Sequence, residues 1–309
     1  MAGGISGIQA IVGCTDRMVT QGDIQFEVPG LSPNRPDAPI FKSVPMNRHI
    51  IVMTAGDAGF QTQALQHLWE ATEASRKNTT GGWSEHSVRD VAVTYQDFCN
   101  AKRREATDTL LAPYGLSAQS FINKQQNLSD QFVRWVLNEV EDARNNIGDS
   151  IIVCGIDATG AHIYLCTGDI LAPADSIGFA AIGSGGKHAR SQFILGNHSR
   201  FDRLEHTILL AYAAKRRSEK APGVGELTDM FVIPYTGRYF LTHPQLQELE
   251  RIYQRMETSQ TAAFKKGQAS AIRYVARLMA TEKAAAATAE VVKELSDQSS
   301  PTTSSSDQT

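Results

Sequence analysis

The chain has 309 residues, with 30 Lys plus Arg against 33 Asp plus Glu, a formal net charge of -3 and a hydrophobic fraction of 41%. That length suits one large domain with an appendage, or two small ones, and the balanced charge gives no long-range pull toward nucleic acid or an anionic membrane. No apolar run reaches the roughly 18 residues that a bilayer span needs, and Met1-Ala-Gly-Gly lacks the basic and apolar parts of a secretory signal, so a soluble cytoplasmic protein is expected.

The N-terminal stretch predicts strands. Ile8 to Cys14 is short and β-branched, and Ile24 to Val28 alternates apolar and polar residues. The proline-rich run Pro29 to Pro39 predicts a loop. Ile40 to Val44 and His49 to Thr54 predict two further strands. Helical spacing then takes over: Gln61 to Arg76 aligns Ala64, Leu65 and Leu68, and Lys77 to Trp83 breaks it. Ser87 to Leu111 aligns Val88, Val91, Tyr95, Phe98 and Cys99, and Pro113-Tyr-Gly ends it. Ser129 to Arg144 predicts an additional amphipathic helix.

Strands return at Ile151 to Ile156, which is apolar throughout and so is expected to be covered on both faces. Asp157-Ala-Thr-Gly predicts a turn, His162 to Cys166 the second arm of a hairpin, and Gly178 to Ile182 another strand. A helix is expected from about Lys187, another over Ser199 to Arg217, and a last strand at Met230 to Ile233. Blocks of strands between pairs of helices suit two stacked sheets with helices outside, an α+β, four-layer αββα sandwich. The expected organisation is a domain over 1–235 with a helical insertion at about 100–148, a helical extension over 236–295 in two pieces (Gln245 to Met256 and Thr261 to Leu295), and a disordered tail over 296–309.

Most local motifs carry no chemistry. Cys14, Cys99, Cys154 and Cys166 form no CxxC pair, which argues against a zinc ribbon and a disulfide framework. Ile182-Gly-Ser-Gly-Gly-Lys-His188 fails the phosphate-binding, dinucleotide and nucleophile-elbow patterns. His198, Asp202 and His206 share a helix face at metal-ligand spacing, but a fourth ligand is lacking and a solvated face is the expectation. The basic triplets Lys102 to Arg104 and Lys215 to Arg217 are expected to be solvated helix faces. No metal and no cofactor are expected.

Four segments are informative together: Asp16-Arg-Met-Val-Thr-Gln-Gly22 after the first strand, Lys42 through Gly56, Asp157-x-x-Gly-x-His-Ile-Tyr followed by Ala-Ile-Gly-Ser184-Gly, and Pro222-Gly-Val-Gly-Glu-Leu-Thr-Asp229. In this order and spacing they resemble the proteasome β-subunit and HslV family of N-terminal-nucleophile hydrolases, over about Ile8 to Pro234. The segment from Lys77 to Gly148 is longer than the family usually has, which suggests a bacterial side branch.

The resemblance implies a self-assembling threonine-type peptidase. An N-terminal Thr hydroxyl would attack a peptide bond with its own α-amine as base. By motif position Asp16 looks like the lysine-pairing aspartate, Lys42 the catalytic lysine, Thr20 the substrate-backbone contact, Gly56 the oxyanion donor and Ser184 the supporting serine. Where the family carries Asp-x-x-Ser-Gly, this chain reads Glu219-Lys-Ala-Pro222-Gly223, so Glu219 could replace the acid while the serine is lost. The family spacing puts the threonine just before Met1, so the expectation is that the written start is internal to the true reading frame. The alternative is a non-catalytic assembly subunit of a proteasome-like oligomer. A peptide or protein substrate and a homo-oligomer are the expected partners, with no nucleic acid and no membrane. An unrelated αββα phosphoesterase would need clustered metal ligands, which the sequence does not offer.

Overall fold

The computed structural model describes residues 9–21, 24–28, 42–76, 87–145, 150–168 and 170–298. The chain is α+β. In order it runs β1 (Ala10–Asp16), β2 (Met18–Gln21), β3 (Ile24–Glu27), β4 (Ser43–Pro45), β5 (Ile50–Ala55), α1 (Ala58–Arg76), α2 (Val88–Leu111), α3 (Ala118–Lys124), α4 (Asp130–Asn145), β6 (Ser150–Asp157), β7 (Gly160–Thr167), β8 (Ile170–Pro173), α5 (Gly186–Leu195), α6 (Leu204–Ser218), β9 (Thr228–Pro234), β10 (Tyr239–Phe240) and α7 (His243–Gln298).

Strands β4 to β8 form one antiparallel sheet in sequence order, β1, β9 and β10 form a second in the order β1-β9-β10, and β2 pairs with β3 alone. The apolar run of β6 is buried on both faces, as its composition predicts. Ile151 and Val153 join Ile50, Val52, Leu68, Val91, Tyr95 and Cys99 in a core under α1 and α2. Ile152, Cys154 and Ile156 point the other way and join Ile11, Phe231 and Ile233 of the second sheet. Strand period two therefore splits one sequence run between two cores. Helix α6 packs against β1 through small residues, with Ala211, Ala213 and Ala214 all buried.

Helix α2 begins with a reciprocal capping box between Ser87 and Asp90. Its buried face is the stripe read from sequence. The insertion carries a small core of its own, in which Leu111, Phe121 and Val136 are buried together.

Several expectations are corrected. Gly178 to Ile182 is not a strand. Among the described residues the chain there has no ladder partner, Gly178 has a left-handed φ of 83°, and Ala180 and Ile182 still pack into the inter-sheet core. Strands β2, β8 and β10 and helix α3 were not read from sequence. The two C-terminal helical pieces are one continuous 56-residue helix. The expected loops at Pro29 to Pro39 and Lys77 to Trp83 lie outside the described residues, as do residues 299–309 of the tail.

The chain divides into two compact units, Met1–Glu250 and Arg251–Thr309. In the second unit, Phe264, Ile272, Tyr274, Val275, Leu278 and Met279 are all exposed. Among the described residues no helix is long and apolar enough to cross a membrane.

Candidate active site

A cavity of about 940 Å³ opens between the end of β1, the end of β5, the Gly183–Gly186 turn and the last turns of α6. Asp16 closes β1 at its rim. Its Oδ1 accepts the backbone N–H of Met18 at 2.7 Å and the ammonium of Lys42 at 2.7 Å. The two side chains are 16% and 19% exposed, so the pair is only partly screened by water. Lys42 stands just before β4, and its carbonyl accepts Thr54 N–H of β5 at 3.0 Å. Its position is thus tied to the sheet. Next to Asp16, the Thr15 and Ser43 hydroxyls are 3.2 Å apart, both buried.

Gly56 follows β5 on the same cavity wall with a φ of 118°, a conformation that excludes residues with a Cβ. Asp57 then caps α1, accepting Phe60 N–H at 2.7 Å. Ser184 sits opposite in the turn that starts α5. That turn is held from beneath, where Ser218 Oγ donates to Gly185 O at 3.1 Å, and a Cβ on Gly185 would lie 2.6 Å from that of Ser218.

Asp16, Lys42, Gly56 and Ser184 are therefore brought around one cavity. Thr20 lies on β2, backbone-paired with Gln25, and its neighbour Val19 lines the cavity. Glu219 does not line the cavity. It accepts from Lys215 at 2.5 Å and from Arg216 at 2.8 Å.

Sequence reasoning missed Lys215. Its side chain is 4% exposed, and besides Glu219 it donates to the carbonyls of Gly225 at 2.9 Å and Glu226 at 2.8 Å. Three acceptors use all three ammonium donors, so Lys215 pins the segment whose Gly223 and Val224 line the cavity. The available signal was its phase: Thr207, Ala211, Ala214, Lys215 and Ser218 form one buried stripe of α6.

Cys14 also lines the cavity and is the obvious thiol candidate for a nucleophile. Its burial pushes the thiol up to about 12, only partly opposed by the Lys215 ammonium, with Asp229, Glu219 and Asp16 raising it further. At neutral pH it is a thiol and not a nucleophile. Alkylation of Cys14 by iodoacetamide is expected to run about 10³-fold slower than that of an exposed cysteine at about pH 8, and to climb roughly tenfold per pH unit well beyond it. Peptide mapping by mass spectrometry reads this. A rate that levels off near pH 9 would show an ordinary thiol instead.

The His198, Asp202 and His206 trio meets in part: Asp202 Oδ2 lies 3.0 Å from His198 Nδ1 and 3.2 Å from His206 Nδ1. Among the described residues no group of three His, Cys, Asp or Glu side chains is disposed to hold a metal ion. The cavity offers a fixed carboxylate–ammonium pair, a glycine backbone wall and a hydroxyl, which suit stabilising charge that develops on a polarised carbonyl. No family model matches this chain, and no curated protein matches it.

Proposed function

We propose that this chain is an amide-bond hydrolase of the N-terminal-nucleophile type, resembling the proteasome β-subunit and HslV family and acting on peptides within a homo-oligomer. The observation that carries the reading is the Asp16–Lys42 pair at 2.7 Å, set in the same cavity as Gly56 and Ser184. Lys42 supplies a fixed positive charge that disfavours protonation of a neighbouring amine and so keeps it available as a base. Asp16 holds that charge in place. Gly56 offers its backbone to the oxyanion, and the nucleophile is an N-terminal threonine hydroxyl placed beside β1. The same reading takes the packing of α1 and α2 on the five-stranded sheet, that sheet on the β1–β9 sheet, and α6 on β1 as the four-layer sandwich of this family.

Intact mass and N-terminal sequencing of the protein from its native host test the reading. A threonine at the mature N-terminus, about one strand upstream of Ile8, is the expected result. A mature chain with no nucleophile there would remove the hydrolase reading. It would favour the second one, a non-catalytic assembly subunit, which draws support from the exposed apolar side chains of residues 251–293. Light scattering of a monomer would in turn remove that second reading.

A further inference from the structure

The turn between β4 and β5 and the turn between β9 and β10 meet at the Ala10–Pro234 end of the β1–β9 ladder, the end away from Asp16. Each turn is fixed by its own hydrogen bonds. Asn47 Oδ1 accepts His49 N–H at 2.7 Å and Ile50 N–H at 2.8 Å, and Pro234 O accepts Gly237 N–H at 3.0 Å. Arg238 ties the two turns together. Its backbone N–H donates to Arg48 O at 2.9 Å, and its Nη1 donates to Asn47 O. Arg48 crosses in the other direction. A Cβ built on Gly237 would lie 2.5 Å from Arg48 Nε, so the Arg48 side chain lies across that glycine.

Two guanidinium groups and the His49 ring therefore share one junction. Among the described residues no carboxylate pairs with either guanidinium, and none offers the Arg48 side chain an acceptor. Burial lowers the proton affinity of the Arg238 guanidinium, and burial together with the charges of Arg48 and Arg238 does the same to the His49 ring. A guanidinium keeps its charge at neutral pH all the same, so the junction cannot relieve itself by losing a proton. A part-buried cation without a counter-charge is costly. This one stands in a chain whose net charge is -3, so it is not a by-product of a basic composition. Each guanidinium has five N–H donors, of which Arg238 spends one on Asn47 O. The rest can serve an acceptor from outside.

We propose that Arg48 and Arg238 form a binding site for a phosphate group, taken as the free dianion or as a monoester. Two planar forks match the several oxygens of one phosphate, and two fixed positive charges match its two negative ones. A carboxylate offers one charge and two oxygens, and fills half of that demand. The turns are already tied to each other, so little ordering is left for the ligand to impose. The site is remote from Asp16 and Lys42 and stands independently of the hydrolase reading.

The test follows inorganic phosphate binding to the full chain by calorimetry at about pH 8, where the dianion dominates, with sodium chloride holding ionic strength constant. One site per chain is expected. Arg48→Gln should weaken binding about 10-fold or more. Arg238→Lys keeps the charge, loses the fork and should weaken it by a smaller factor. Lys265→Gln removes the same charge from the exposed surface of α7 and should change nothing. Acetate should bind at least ~10-fold more weakly than phosphate. Glycerol phosphate separates the two sources: binding equal to inorganic phosphate assigns the site to a monoester, and weaker binding assigns it to the free ion. No binding of phosphate would overturn the proposal. So would undiminished binding in Arg48→Gln, an equal loss in Lys265→Gln, or acetate matching phosphate. Arg48 is exposed, so Arg48→Gln is expected to fold, and melting curves check this. If it does not, the Arg238→Lys, Lys265→Gln and acetate comparisons decide.

Discussion

Lys42→Ala is expected to lower hydrolysis of a fluorogenic peptide amide by about 10²- to 10³-fold, the usual scale for removing a group that acts on the transition state or on its base. Lys42→Arg keeps the charge but changes its shape, and should recover part of the rate. The fold should tolerate both, because Asp16 retains the backbone N–H of Met18 at 2.7 Å and the pair sits at the cavity rim. Melting curves then separate a lost activity from a lost structure. Initial rates on the mature protein read the effect, and full activity in Lys42→Ala would end the proposed mechanism.

Gly13→Ala is expected to destabilise the first unit by about 3 kcal/mol, at the upper end of overpacking effects. A Cβ built on Gly13 lies 2.0 Å from Phe231 Cζ, and Phe231 is fully buried between the two sheets. The ring has nowhere to retreat, since it also packs edge-on to Phe240 at 5.8 Å. Shortening the ring should relieve the clash, so Gly13→Ala with Phe231→Leu should cost less than the two single changes added, by about 1 kcal/mol or more. Denaturant unfolding of the four proteins measures the coupling. Strict additivity would mean that the β1–β9 contact is looser than its geometry implies.

Helices α1 and α2 were legible because their apolar stripes face a single core. The Val88-to-Cys99 stripe needed no tertiary knowledge. The segment Gly178 to Ile182 misled for a physical reason: a short apolar run is what a buried strand and a buried loop beside a cavity both require. Strand β2 was hidden because Met18 to Gln21, which pairs with β3, carries no alternation long enough to read. The Asp16–Lys42 pair is 26 residues apart in sequence and joins the ends of strands in different sheets, so no local pattern could announce it. It came only through resemblance to a family. Lys215 went the other way: its neighbours Arg216 and Arg217 made it look solvated, while its phase on α6 put it inside.

The pairing of β1 with β9 sets the order in which this molecule can be assembled. Ala10 faces Pro234 and Asp16 faces Thr228, so β1 waits for a partner made more than two hundred residues later in the same unit. The β6–β7–β8 meander, by contrast, can form as soon as its own residues are made. Contacts so distant in sequence are slow to close. The wall of the cavity that bears Asp16 is thus completed only after the rest of the unit exists. A chain interrupted before Thr228 has no partner for β1 and no assembled site, so synthesis itself delays the appearance of any activity until the fold is whole.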